Sequence, residues 1–135
     1  MEHIENRIRP TGFSILLDEI VIDCADARLL ASFYAGLLGW DITETGDDWL
    51  VVSAPGCPLL LLFQQEEDYI PPVWPEVAGA QQKSMHLDFH VSNLDKAVRH
   101  AVSLGAAVAG MQYNPKRWIT MLDPAGHPFC LCLAE

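Results

Sequence analysis

Basic side chains are scarce: eight Lys and Arg stand against 18 Asp and Glu, for a formal net charge of -10. Nucleic-acid binding needs Lys and Arg clustered against phosphates, so nucleic acid is not an expected partner. The same shortage argues against docking on an anionic membrane surface. No run of about 18 apolar residues is present, so no membrane-crossing helix is expected. The stretch Met1 to Thr11 is polar and lacks the apolar segment of a signal peptide. None of the four cysteines, Cys24, Cys57, Cys130 and Cys132, belongs to a CxxC pair, which removes the zinc-knuckle and thioredoxin readings. Free thiols without an export signal point to the cytoplasm, with the cysteines serving as small buried hydrophobes. Nucleophile elbow, P-loop and dinucleotide-binding glycine patterns are also lacking.

Apolar residues, by contrast, are plentiful. Half of the 135 residues are hydrophobic, enough for one domain to bury a core without disulfides or a structural metal. Leu16 to Cys24 reads as a strand. Asp26 can cap a helix in which Leu29, Leu30, Phe33, Tyr34, Leu37 and Leu38 recur with helical period, and Gly39 ends it. Asp41 to Thr45, Trp49 to Ser53 and Leu59 to Phe63 follow as strands. An irregular linker over about residues 65–83 holds Glu66, Glu67 and Asp68, then Pro71, Pro72, Pro75 and Gly79.

Beyond the linker the order repeats. Ser84 to Ser92 is an alternating strand, Asn93 caps a second helix ending at Gly105, and Ala107 to Met111, Trp118 to Leu122 and Pro128 to Leu133 are three more strands. Asp26 answers to Asn93, Leu38-Gly39 to Leu104-Gly105, Trp49 to Trp118, and Pro58-Leu59-Leu60-Leu61 to Pro128-Phe129-Cys130-Leu131. This duplication predicts an α+β fold in a single domain over 1–135. Its two βαβββ modules cover about residues 16–64 and 84–134. They form a curved mixed sheet around a cavity, with helices on the outer face.

Alternation also sorts the side chains. Leu87, Phe89 and Val91 are apolar and should pack on the helices, which turns His86, Asp88 and His90 to the open face. The same parity sets Ile20 and Ile22 under the first helix and Glu19, Val21 and Asp23 on the open side. Carboxylates and imidazoles on one concave surface suit metal ligation or acid–base work, and equally a solvated sheet face or half of a dimer interface. Trp49 and Trp118 read as scaffold packing ahead of ligand stacking, and Phe33 and Tyr34 as core. Trp74 reads as a lid on the cavity or as a pin for the linker. No partner is evident for His100 or His127, and His3 sits in a polar terminus.

Glu19-Ile-Val-Ile-Asp-Cys-Ala-Asp26 with Phe33-Tyr34 and Leu38-Gly39-Trp40 resembles the opening motif of vicinal oxygen chelate domains, the glyoxalase, bleomycin-resistance and dioxygenase superfamily. His86-Leu-Asp-Phe-His-Val-Ser-Asn93 resembles it again, and Asp123-Pro-Ala-Gly-His127 resembles the turn before the last strand. The cysteine-containing last strand, Pro128-Phe-Cys-Leu-Cys132, is closest to the glyoxalase-like branch. The resemblance spans roughly Leu16 to Leu133.

Enzymes of that superfamily hold a divalent metal with side chains from the first and last strands of each half. Carried over, the four positions fall on Glu19, His86, Cys130 and Leu60, or on Gln64 in place of Leu60 if the register slips. Glu19 and His86 are the metal candidates, for Zn, Ni, Mn or Fe, and Cys130 can bind zinc as a thiolate. Leu60 offers no donor atom. The resemblance therefore implies a small-molecule-binding protein of the glyoxalase/bleomycin-resistance type without an intact metal quartet. Its expected ligand-binding residues are Glu19, His86, Asp88, His90 and Cys130, which should share one pocket. The alternative is a divalent-metal-dependent lyase, isomerase or dioxygenase using Glu19 and His86. A third reading is a vestigial cavity in a protein that acts through its dimer surface. Members of the superfamily commonly pair, and open sheet edges need covering, so a homodimer is expected.

Overall fold

The computed structural model describes residues 11–134; His3 lies outside the described residues. In chain order the elements are β1 (Glu19–Cys24), α1 (Ala27–Leu38), β2 (Asp41–Thr45), β3 (Trp49–Ser53) and β4 (Leu60–Gln65). Then come β5 (Leu87–Val91), α2 (Leu94–Ser103), β6 (Ala107–Val108), β7 (Trp118–Leu122) and β8 (Pro128–Leu133). The two βαβββ halves give two four-stranded mixed sheets, ordered β1-β4-β3-β2 and β5-β8-β7-β6. In each, the first strand runs parallel to the last, and the remaining pairs are antiparallel.

Local chemistry sets the helix ends. Asp26 is extended, and its Oδ1 accepts from the Leu29 amide at 3.0 Å, satisfying one orphan donor of the first turn. Gly39 closes α1 at φ 70°, a left-handed conformation that a side chain would resist. Asn93 repeats the cap on α2, accepting from the Lys96 amide at 3.0 Å.

Three strands are shorter than their apolar runs suggest. Leu16 and Leu17 stand outside β1 because β4 begins at Leu60, which pairs with Glu19 and leaves the preceding residues no ladder partner. β5 likewise starts at Leu87, opposite Phe129, and β6 holds two residues where five were expected.

Both halves feed one core. Tyr34 stacks on Phe63 at 5.4 Å within the first half, and it meets Phe89 and Phe129 of the second. Ile20, Ile22, Leu87, Phe89 and Val91 all pack against this core, as their alternation requires. His100, without an evident partner in the sequence, joins the helices: its Nε2 lies 3.1 Å from the Gly36 carbonyl, near the C-terminus of α1. No helix among the described residues is long and apolar enough to cross a membrane.

Candidate functional site

The expected site residues fall into three groups. Asp88 sits on the open face of β5 and His86 stands just before the strand, with Nε2 and Oδ1 3.2 Å apart. Cys130 of β8 is the register partner of Asp88, and the donor atoms of His86, Asp88 and Cys130 lie within 4.8 Å of one another. Thr120 of β7 completes the row, its hydroxyl 3.6 Å from the Cys130 sulfur. Burial pushes the Cys130 thiol up, against the hydrogen bond with Thr120 that favours the thiolate. His90 lies one rung further along, exposed and opposite Cys132, whose thiol is also raised by burial. Glu19, on the other sheet, is half-buried beside Leu60 and outside the three-residue cluster.

The superfamily's metal quartet can be tested on this register. Glu19 pairs with Leu60, and Gln64 pairs with Asp23, so no slip brings Gln64 to the Leu60 position. One of the four positions therefore has only a hydrocarbon side chain, and the residues present do not fit the quartet.

A cavity of about 490 Å³ opens beside these residues, between β1 and a strap formed by residues 66–86. Its floor is the apolar run Ile20, Val21 and Ile22. Asp23, Tyr69 and His127 add polar groups, Glu66 and Asp68 add carboxylates, and Lys83 and His86 stand at the wall. Of the five expected ligand-binding residues, His86 lines this cavity, while Glu19, Asp88, His90 and Cys130 do not.

The strap is held by a hydrogen-bond knot on the second half. The Tyr69 hydroxyl donates to the Ala125 carbonyl at 2.7 Å. His127 Nε2 is 2.6 Å from the Asp23 carbonyl and 3.2 Å from the Tyr69 oxygen. A carbonyl only accepts, so Nε2 carries the proton toward Asp23, and the tyrosine oxygen is its second acceptor. Burial drives the Tyr69 hydroxyl well above its ordinary pKa, and the Asp123 carboxylate adds to the rise. It remains a neutral donor at physiological pH. Gly126 makes the contact possible: its φ is 89°, and a Cβ there would fall 2.9 Å from Pro71 of the strap.

Beneath the knot, Tyr34 donates to Asp123 Oδ2 at 2.6 Å, while Oδ1 accepts from the amides of Ala125 and His127 at 2.9 and 3.0 Å. Burial raises the Asp123 carboxyl despite these bonds, which pull it down. Neither Tyr69 nor Asp123 stood out in the sequence as a site residue. Tyr69 follows three acids in a linker with no periodicity, and the Asp123 turn motif signals a turn rather than its partners. Trp74 does not line the cavity; it packs edge-on to Tyr113 at 6.2 Å, under the Lys83 ammonium at 5.0 Å. Trp49 packs over Gly46 in the β2–β3 turn.

The chain belongs to the glyoxalase-like domain family of the vicinal oxygen chelate superfamily: the model of the glyoxalase-like domain matches residues 19–132. No curated protein matches the sequence. Among solved structures it is similar to a glyoxalase/bleomycin resistance protein/dioxygenase family enzyme from Burkholderia phytofirmans PsJN. There the TM-score is 0.65 at 20% identity, covering 87% of this chain and 98% of the other. A glyoxalase-related enzyme from Fulvimarina pelagi gives 0.64 at 15% identity, covering 88% of each chain. An antibiotic-binding protein from Streptomyces sp. CB03234 gives 0.58 at 19% identity, covering 90% and 98%. At these identities the likeness is one of fold.

Proposed function

We propose that this chain is a small-molecule-binding protein of the glyoxalase/bleomycin-resistance type. Its ligand occupies the cavity under the 66–86 strap, and the superfamily's metal quartet plays no part. The observation that carries the reading is the cavity itself. Its volume, about 490 Å³, falls in the range of organic-ligand pockets, and it combines an apolar floor with a few convergent polar groups. Leu60 beside Glu19 supports the second half of the statement, and a lyase, isomerase or dioxygenase built on Glu19 and His86 would lack that donor. Asp23, Glu66 and Asp68 on the wall favour a neutral or cationic ligand with an apolar body. The fold likeness to an antibiotic-binding protein is in keeping with such a ligand.

The same reading places the protein in the cytoplasm as a homodimer. Its four cysteines are free, which suits a reducing compartment. Phe13, Ile15, Leu16 and Leu17 form a run of strongly exposed apolar side chains directly before β1, a surface that a second copy would cover.

The test is a ligand-observed NMR screen of organic cations and neutral aromatics against the full chain and against Val21→Trp. Val21 is exposed on the cavity floor, so the indole fills the cavity without disturbing the core. Compounds that bind the wild type should be lost from Val21→Trp while the circular dichroism is unchanged. Hits retained by the variant would place the ligand elsewhere and defeat the reading.

A further inference from the structure

Cys130 and Cys132 form a pair of free thiols on β8 that the cavity does not use. Phe129 and Leu131 are buried, so alternation turns both thiols to the open face of the second sheet, where each is half-buried. β8 lies between β5 and β7, and ladder bonds on both sides hold its backbone extended. Two residues apart on such a strand, the Cβ atoms stand about 6.6 Å from each other, whereas a disulfide needs about 3.5–4.5 Å. The pair therefore does not close on itself while β8 keeps its ladder. A single bridging atom bonded to both sulfurs spans the wider gap, since each Sγ can turn toward the other about χ1. Burial first, and the Asp88 carboxylate with it, hold both thiols above their ordinary pKa, so both keep their protons at neutral pH. A divalent cation would have to expel those protons. Trivalent arsenic does not: an As–OH bond and an S–H bond exchange to give As–S and water.

We propose that Cys130 and Cys132 together bind trivalent arsenicals, arsenous acid and its mono-organic derivatives, as a dithiol on the open face of the second sheet. With arsenous acid, two As–O bonds break and two As–S bonds form. The two thiol protons leave with the two hydroxyl groups as water, and arsenic stays trivalent. Its third bond keeps a hydroxyl or an organic group. The surroundings suit both. Asp88 and Thr120 are the register partners of Cys130, and His90 and Trp118 those of Cys132. The Thr120 hydroxyl lies 3.6 Å from the Cys130 sulfur and orients it. The Asp88 carboxylate can accept from a remaining As–OH, and Trp118 offers apolar surface to an organic group. Charge also sorts the ligands. Arsenous acid is uncharged at neutral pH, so the chain's net charge of -10 does not oppose it, as it opposes phosphate and arsenate. The site needs neither Glu19 nor His86, and neither cysteine lines the cavity under the strap.

The experiment is a titration of untagged, fully reduced full-length protein with phenylarsine oxide, read by intact mass. The wild type should take up one phenylarsenic unit with the loss of two hydrogens. A small dithiol such as dimercaprol should remove it, and excess glutathione, a monothiol, should not. Cys130→Ser and Cys132→Ser should each weaken binding by about a hundredfold or more, because the second bond no longer forms within one molecule. Cys57→Ser should bind as the wild type does. In unmutated protein, arsenite should block alkylation of Cys130 and Cys132 together and leave Cys57 reactive, a readout that needs no variant to fold. The proposal fails if the wild type forms no adduct, if arsenite protects only one of the two cysteines, if glutathione strips the adduct, or if either serine variant keeps the wild-type affinity. Cavity ligands from the NMR screen should still bind the Cys130→Ser/Cys132→Ser double variant, so the two proposals stand or fall separately.

Discussion

The Tyr34 hydroxyl donates to Asp123 Oδ2 at 2.6 Å and so ties α1 of the first half to the β7–β8 turn of the second, across 89 residues of chain. Because that turn also carries His127 and Ala125 into the strap, the bond connects core packing to cavity shape. Tyr34→Phe leaves a buried carboxyl oxygen without its partner and should cost about 2 kcal/mol. Asp123→Ala orphans the tyrosine and two amides together and should cost roughly 3–5 kcal/mol. A urea-unfolding double-mutant cycle checks the pair. Costs that simply add would mean that the two groups do not interact.

Alkaline pH should weaken the fold through Cys24. This thiol is buried in the core, where loss of solvation first and the charge of Asp123 second push its pKa from 9.0 to about 11. The folded state therefore holds the proton more tightly than the unfolded chain. The contribution is complete below about pH 9 and is lost as pH rises toward 11. The Tyr34 hydroxyl, raised further by burial and by Asp123, adds to the loss at higher pH. Urea midpoints between pH 8 and 11 should fall, and they should fall less steeply in Cys24→Ala, which starts lower because of the small cavity it leaves. Parallel slopes for the two proteins would refute the assignment to Cys24.

Much of the fold was readable because its signals are local. Asp26, Gly39 and Asn93 cap helices by reaching only three or four residues along the chain, and the alternation of Leu87, Phe89 and Val91 orients β5 without outside information. Strand ends were less readable, since Leu16 and Leu17 carry every local mark of a strand and lack only a partner. Of the candidate site, parity and register bring His86, Asp88 and Cys130 together, but the cavity lies beside them. Its wall is the linker, which has no period to read. Tyr69 reaches a carbonyl 56 residues away through contacts that exist only in three dimensions.

The turn between β2 and β3 offers a packing test. A Cβ on Gly46 would fall 2.1 Å from the indole ring of Trp49, so the ring must leave its place. Gly46→Ala should cost about 1–3 kcal/mol, as overpacking does, and should shift the tryptophan fluorescence. An unchanged melting temperature would show that Trp49 moves freely and is not a scaffold residue.

The strap is the part of the cavity most open to adjustment, and Tyr69 is its principal tether. Its hydroxyl makes one bond to Ala125 and stands within reach of His127, while beyond Glu66, whose amide donates to the Cys24 carbonyl at 2.9 Å, the strap's own backbone bonds, such as Val73 to Gln81 at 2.8 Å, are local. Tyr69→Phe keeps the ring, and hence the apolar contact, but deletes the tether. Global stability should fall by about 1 kcal/mol, the usual value of one hydrogen bond. Local opening should change more, because the strap has no ladder to hold it once the knot is cut. Native-state hydrogen exchange resolves the two effects. The Val73 amide should exchange faster in Tyr69→Phe by more than the change in global stability explains, while the amide of Val52, in the buried β3, should follow that global change alone. Cavity ligands found in the screen should bind the variant more weakly, with the loss in the dissociation rate, since the wall that retains them opens more often. Equal slowing or equal acceleration at Val73 and Val52 would mean that the strap opens only with the whole fold, and the cavity would then be a fixed pocket rather than one closed by a tethered wall.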